Sequence, residues 1–222
     1  MNAITMNVPQ RKFLGMCNNV TDYADAAANG HEVFGFIGGQ FSLIDALSAC
    51  VKVANKPLLT LSTWTAAKSD MDHVLQFLDS GAISGCRWVV DRSFPNRQPD
   101  LCARLRDRFG DDTIRVMRVH CKFALLGDED SGLVIQTSAN LNRNMRIENL
   151  SISPCPVFYR AYYDLVKQMF GVQMPAEGFE DSSSVTRAHK QLAFGGETWV
   201  EQKLKRKKAA FDRKLKKLNG QK

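Results

Sequence analysis

The 222-residue chain predicts an α/β fold, a mixed and mostly parallel sheet with helices on both faces, followed by a basic C-terminal helix. Three observations lead there. Short apolar runs alternate with stretches of helical periodicity, glycine, proline or a capping residue separates them, and two β-rich runs meet across an acidic turn. An apolar content of 44% with 24% charged residues is that of a folded protein and excludes wholesale disorder.

Residues 1–30 carry few periodic apolar positions and are expected to form an irregular or weakly helical lead-in. The main domain is expected over 31–171. EVFGFIG (32–38) is a short apolar run ended by Gly38 and Gly39, read as a tight turn, and FSLIDALSACVKVA (41–54) follows with helical apolar spacing. Ser42, with Asp45 three residues on, has the pattern of a capping box. PLLTLST (57–63) predicts a strand, and Ser69 with Asp72 predicts the cap of a second helix that buries Val74, Leu75 and Leu78 and stops at Gly81. CRWVV (86–90) is a strand, and Pro99 opens a helix with Leu101, Leu105 and Phe109 on one side before Gly110.

TIRVMRVHCKFALL (113–126), the turn GDEDSG (127–132) and GLVIQTS (132–138) predict a hairpin, the antiparallel part of the sheet. NLSIS (149–153) is a further strand, and PVFYRAYYDLVKQMF (156–170) is a helix stopped by Gly171. Residues 172–198 lose periodicity and gain Ser, Gly and Pro, which predicts a linker with a solvent-facing His189. Residues 199–222 follow as an amphipathic basic helix with Leu204, Phe211, Leu215 and Leu218 on one side.

Charge is concentrated in that tail. Residues 201–222 hold ten Lys or Arg against two acids, whereas the first 200 hold twenty basic and twenty-one acidic residues. A basic tail on a neutral body suits a polyanion gripped by an appendage, and Lys203, Lys205, Arg206, Lys207, Lys208, Arg213, Lys214, Lys216 and Lys217 are the expected nucleic-acid contacts. The six cysteines are scattered without a C-x-x-C, so buried free thiols and no metal site are expected. No apolar run reaches the roughly 20 residues of a membrane span and no signal pattern opens the chain, so a cytoplasmic protein without integral membrane association is expected.

The chemistry concentrates in 119–149. His120 and Lys122 are two apart on an expected strand and leave one face, and a hairpin return brings Ser138 and Asn140 alongside, with Glu148 beyond. An imidazole, an ammonium, a hydroxyl and an amide suit phosphate: Lys122 and Asn140 can hold non-bridging oxygens while His120 attacks phosphorus or moves a proton. One condition attaches. A symmetric hairpin sets Lys122 opposite Thr137 and turns Ser138 and Asn140 to the other side, so a register shift or a strand ending before Ser138 is required. Trp64 and Thr65 follow one strand end and Asp91-Arg92 another, with Trp64 expected in the core or in loop packing.

His120-Cys121-Lys122 with Thr137-Ser138-Ala139-Asn140 resembles the phospholipase D superfamily, whose signature is H-x-K, an aspartate further on, then G-S-x-N. Gly127 stands at the aspartate position, with Asp128 one step later, and Thr137 replaces the glycine. The order of strands and helices over about 32–170 resembles one domain of that superfamily. The resemblance implies a metal-independent phosphodiesterase, needing no cofactor, that works through a phosphohistidine. Because the family site takes two motifs and this chain has one, it further implies a homodimer in which two copies of His120 flank one phosphate. Family distribution points to a bacterium or its virus. A nuclease acting on DNA or RNA is the leading expectation; a phospholipid hydrolase and an inactive nucleic-acid-binding protein on the same scaffold are the alternatives.

Overall fold

The computed structural model describes residues 9–16, 18–142 and 145–194, together with Lys208. Eight strands form one sheet in the order β1-β2-β8-β7-β6-β3-β4-β5. The strands are β1 (Arg11–Gly15), β2 (Glu32–Ile37), β3 (Leu58–Thr63), β4 (Gly85–Asp91), β5 (Ile114–Met117), β6 (Lys122–Gly127), β7 (Gly132–Thr137) and β8 (Glu148–Ser153). Between and after them run α1 (Val20–Ala28), α2 (Leu43–Val53), α3 (Lys68–Asp79), α4 (Phe94–Arg97), α5 (Pro99–Phe109), α6 (Pro156–Gly171), α7 (Glu177–Glu180) and α8 (Ser182–Phe194).

The sheet is mixed, as the sequence predicts, but it is not mostly parallel: three of the seven strand pairings among the described residues are parallel, because β6, β7 and β8 form an antiparallel block in its middle. β1–β2, β3–β4 and β4–β5 are parallel. The antiparallel part extends beyond the β6–β7 hairpin to β2–β8, β3–β6 and β7–β8. Alternation along each strand splits the interior in two. Ile37, Leu61, Trp88, Val90, Ala124 and Ile152 join Leu47, Met71, Val74 and Leu105 of α2, α3 and α5 in the larger core. Phe123, Leu125 and Val134 face the other way onto Tyr159 and Val166 of α6, and Val89 and Met117 meet Met169 of α6 and Ala188 of α8.

Several local expectations hold. Ser42 and Asp45 form the capping box of α2, and Gly110 caps α5 at φ 80°, a conformation glycine adopts without strain. Others differ for identifiable reasons. The lead-in contains β1 and α1: α1 buries Tyr23, Ala24, Ala26 and Ala27, a face of mostly small residues that leaves no Leu or Val periodicity to see. The segment expected as a linker holds α7 and α8, where a similarly small stripe of Ser184, Val185 and Ala188 is buried and His189 is half-buried. Ser69 is not the cap of α3; the helix starts one residue before it, at Lys68, with Ala67 as N-cap, and Asp72 pairs instead with Arg104. The expected basic helix and its charged residues lie outside the described residues, except Lys208, which is exposed.

Four of the five described cysteines are buried and all five are free; Cys121 is the exposed one. Burial pushes the Cys50 thiol up to about 12, so it stays an inert apolar group at neutral pH. No helix among the described residues is long and apolar enough to cross a membrane.

Candidate active site

The path from β5 to β6 decides where His120 sits. β6 pairs with β3, two strands in from β5, so the intervening residues must cross the carboxyl ends of β4 and β3. They cannot also belong to the ladder. His120 is therefore outside the strand on which the sequence placed it, two residues before β6 and exposed. Ser62 near the end of β3 fixes the crossing by donating to the Cys121 carbonyl at 2.9 Å. The carboxyl end of parallel strands is the edge at which open α/β sheets build their sites.

Lys122 opens β6 and is buried. Its Nζ donates to the His120 carbonyl at 2.7 Å and lies 3.4 Å from Nδ1 and 3.3 Å from Nε2 of the same residue, so the ammonium rests against the imidazole. Burial pulls the Lys122 pKa down from its ordinary value, while the Cys121 thiol and the charges of Glu148 and Asp91 oppose that shift. Asp91, at the end of β4, accepts from the Ser93 N–H at 2.9 Å. The Trp64 ring meets the His120 ring edge to face at 5.9 Å and is covered in turn by the Arg97 guanidinium 3.7 Å from its centroid. Of the two expected places, core or loop packing, Trp64 takes the second: it is half-buried between Arg97 and the imidazole.

The hairpin closes symmetrically, with Leu126 opposite Leu133 and Lys122 opposite Thr137. The site gathers because β7 ends at Thr137. That threonine makes the turn: its Oγ1 donates to the Asn149 carbonyl at 2.7 Å and accepts from the Ala139 N–H at 3.0 Å. Ser138, exposed just past the strand, donates to Glu148 and accepts from the Asn149 N–H at 3.1 Å, so its hydroxyl proton is committed to the carboxylate. Leu141 is then tied to the β3 end, its N–H donating to Thr63 Oγ1 at 3.3 Å.

His120, Lys122 and Ser138 line one open cleft of about 400 Å³, together with Cys121, Gln136, Thr137, Asn149 and Tyr162. Glu148 stands outside its lining, linked through Ser138. Asn140 is also outside it, half-buried, with its Oδ1 buried and lacking a hydrogen-bond partner among the described residues. Gln136 donates to Tyr162 of α6 and thereby closes one side of the cleft. Gln136 is not singled out by the sequence, since the symmetric register pairs it with Phe123 on the face opposite Lys122. Trp64 is marked only by its place after a strand end, whereas Arg97 and Tyr162 arrive from separate elements and carry no local signal. Among the described residues no three His, Cys, Asp or Glu side chains cluster in a metal-binding group.

The departures from the family signature also have structural reasons. A Cβ at Gly127 would stand 2.2 Å from the Ser131 carbonyl oxygen and 2.6 Å from the Gly132 Cα, so no aspartate fits there. Asp128 instead shapes the β6–β7 turn, accepting from the Asp130 and Ser131 N–H groups at 2.9 and 3.0 Å, at the end of β6 away from His120.

No protein-family model matches the chain, and no curated protein matches it in sequence. Among solved structures it is similar to a phospholipase D family member, Nuc from Salmonella typhimurium, at TM-score 0.48 and 12% identity over 63% of this chain and 93% of that one. NucT from Helicobacter pylori matches at TM-score 0.46 and 14% identity, over 63% and 96% of the two chains. The polyphosphate kinase of Porphyromonas gingivalis matches at TM-score 0.46 and 18% identity, over 65% of this chain but only 27% of the kinase.

Proposed function

We propose that the protein is a phosphodiesterase of nuclease type, acting on DNA or RNA through His120 in a homodimeric site. The observation that carries this reading is the buried Lys122 ammonium held against an exposed imidazole, in a cleft whose other wall is the Ser138 turn. A fixed cation beside a nucleophile, at a water-accessible rim, is an arrangement for a phosphate.

In the proposed reaction one ring nitrogen of His120 attacks phosphorus and the bond to the leaving oxygen breaks. The partner subunit's His120, protonated, gives that oxygen its proton. Water then attacks the phosphohistidine, its proton passes to the partner subunit's His120, and the phosphorus–nitrogen bond breaks to restore both imidazoles. Lys122 holds a non-bridging oxygen throughout, and Glu148 orients Ser138. The exposure of His120 supports the dimer, since a ring sunk in hydrocarbon could not face its copy. The basic residues of 201–222 would hold flanking phosphates.

Oligonucleotide cleavage by the wild type and His120→Ala, measured beside gel-shift binding, tests the reading. Turnover should vanish in the variant while binding persists. Equal hydrolysis by both proteins would sink it.

A further inference from the structure

The β1–β2 end of the sheet carries a surface that the cleft alone does not explain. α6 packs on β6 and β7, whereas the side chains of β1 and β2 that face the same way stand open. Phe13, Phe34 and Phe36 stand there 69%, 36% and 42% exposed. Phe13 is opposite Phe34 in the parallel register, its ring meets Phe36 edge to face at 6.0 Å, and the Arg11 guanidinium lies 5.9 Å from the Phe34 centroid. The outward aim is imposed from behind. Between the two β2 phenylalanines, a Cβ on Gly35 would fall 1.9 Å from the Tyr23 hydroxyl, so α1 is pressed directly onto the strand backbone and Val33 and Ile37 fill the inner face.

This surface runs into the cleft. Phe36 is paired with Asn149, and Asn149 is one of the residues lining the cleft of His120 and Lys122. With β8 and β7 between β2 and β6, Phe36 lies roughly 15 Å from the start of β6, at about 5 Å per strand spacing.

We infer that Phe13, Phe34 and Phe36 form a stacking platform for unpaired bases of the strand whose phosphate occupies the cleft, making single-stranded nucleic acid the substrate class. The inference rests on the phosphodiesterase reading and deepens it. Exposed aromatic rings on a sheet, a few nucleotides from a phosphate-holding site, present flat faces to splayed bases. A duplex keeps its bases in the stack and cannot use them. A second copy of the chain is a weaker occupant: three rings of about 200 Å² each, already partly covered, offer on the order of 300 Å². A stable interface takes roughly 800 Å² per partner.

The test compares binding of a short oligothymidylate with that of an abasic strand of equal length, which carries the same phosphates without bases. Full-length wild type should prefer the thymidylate, by on the order of tenfold for each ring engaged. Phe34→Ser with Phe36→Ser should erase that preference, Phe36→Trp should retain it, and Val53→Ser, at an exposed apolar site on α2, should leave it intact. Light scattering on each protein completes the experiment. Equal affinity of the wild type for both strands overturns the platform, as does a double variant that loses the preference only by falling from dimer to monomer. A base preference without cleavage of any oligonucleotide would uphold the platform and remove the phosphodiesterase reading.

Discussion

At the scale of single residues, the site is a small set of enforced contacts around His120. Lys122 had a visible signal, two positions from the histidine, but its burial did not: it follows from the start of β6 lying among β3, β7 and the crossing segment. Because burial depresses its pKa, Lys122 should lose its proton below the ordinary lysine value of about 10.4. If the ammonium holds substrate, kcat/KM should fall on an alkaline limb displaced downward from that value, and a pH–rate profile for Lys122→Met should lack the limb. The stability effect has the opposite sign. Between the lowered folded pKa and the unfolded one the unfolded chain binds more protons, so stability should rise with pH in that window. Because buried thiols such as Cys50, whose pKa is raised, pull stability the other way in both proteins, the contribution of Lys122 is read as the difference in urea midpoint between wild type and Lys122→Met, which should shift in favour of the wild type as pH rises through that window. Thr137 was legible only as a departure from a glycine, yet its hydroxyl makes both bonds of the turn that ends β7. Thr137→Gly should therefore disorder Ser138, which amide exchange at Ala139 would report.

At the scale of elements, legibility followed apolar periodicity. The strands β2, β3, β4, β7 and β8 and the helices α2, α5 and α6 announce themselves through Leu, Val, Ile and aromatic spacing, whereas 113–126, expected as one hairpin arm, divides into β5 and β6, and α1 and α8 bury alanine, serine and a few larger groups that no hydrophobic pattern reveals. The hairpin was readable in its register, and the condition attached to it was met by strand termination rather than by slippage. Its tight end depends on two facing glycines. A Cβ on Gly132 would stand 2.4 Å from the Leu126 carbonyl oxygen and 2.5 Å from Tyr159 Cε2. Gly132→Ala should cost about 1–3 kcal/mol of stability through overpacking, read as a lowered denaturation midpoint with unchanged m-value. The tail is a separate element with its own test: removing 201–222 should flatten the salt dependence of duplex binding by about 0.9 in log–log slope for each phosphate the tail had neutralised. An unchanged slope would assign the tail another role.

For the whole molecule, the sheet order brings together at one edge residues that are far apart in sequence. β3 and β4 end there, β6 and β8 begin there, and the loops carrying Trp64, His120 and Ser138 converge with the Asp91 end of β4 as a consequence. That convergence could not be read from local patterns, because it depends on β5 being followed by a strand on the far side of β3. What the single chain supplies is one imidazole and one lysine, and the account requires their duplication across a twofold axis. Light scattering should accordingly give twice the 24.9 kDa chain mass. The most direct measurement is rapid quenching of the full-length protein with a labelled oligonucleotide in the presence of a chelator, followed by peptide mapping. The account predicts an acid-labile phosphoryl adduct on His120 that forms and decays at the rate of turnover. Turnover without any adduct at His120, or turnover abolished by the chelator, would contradict it.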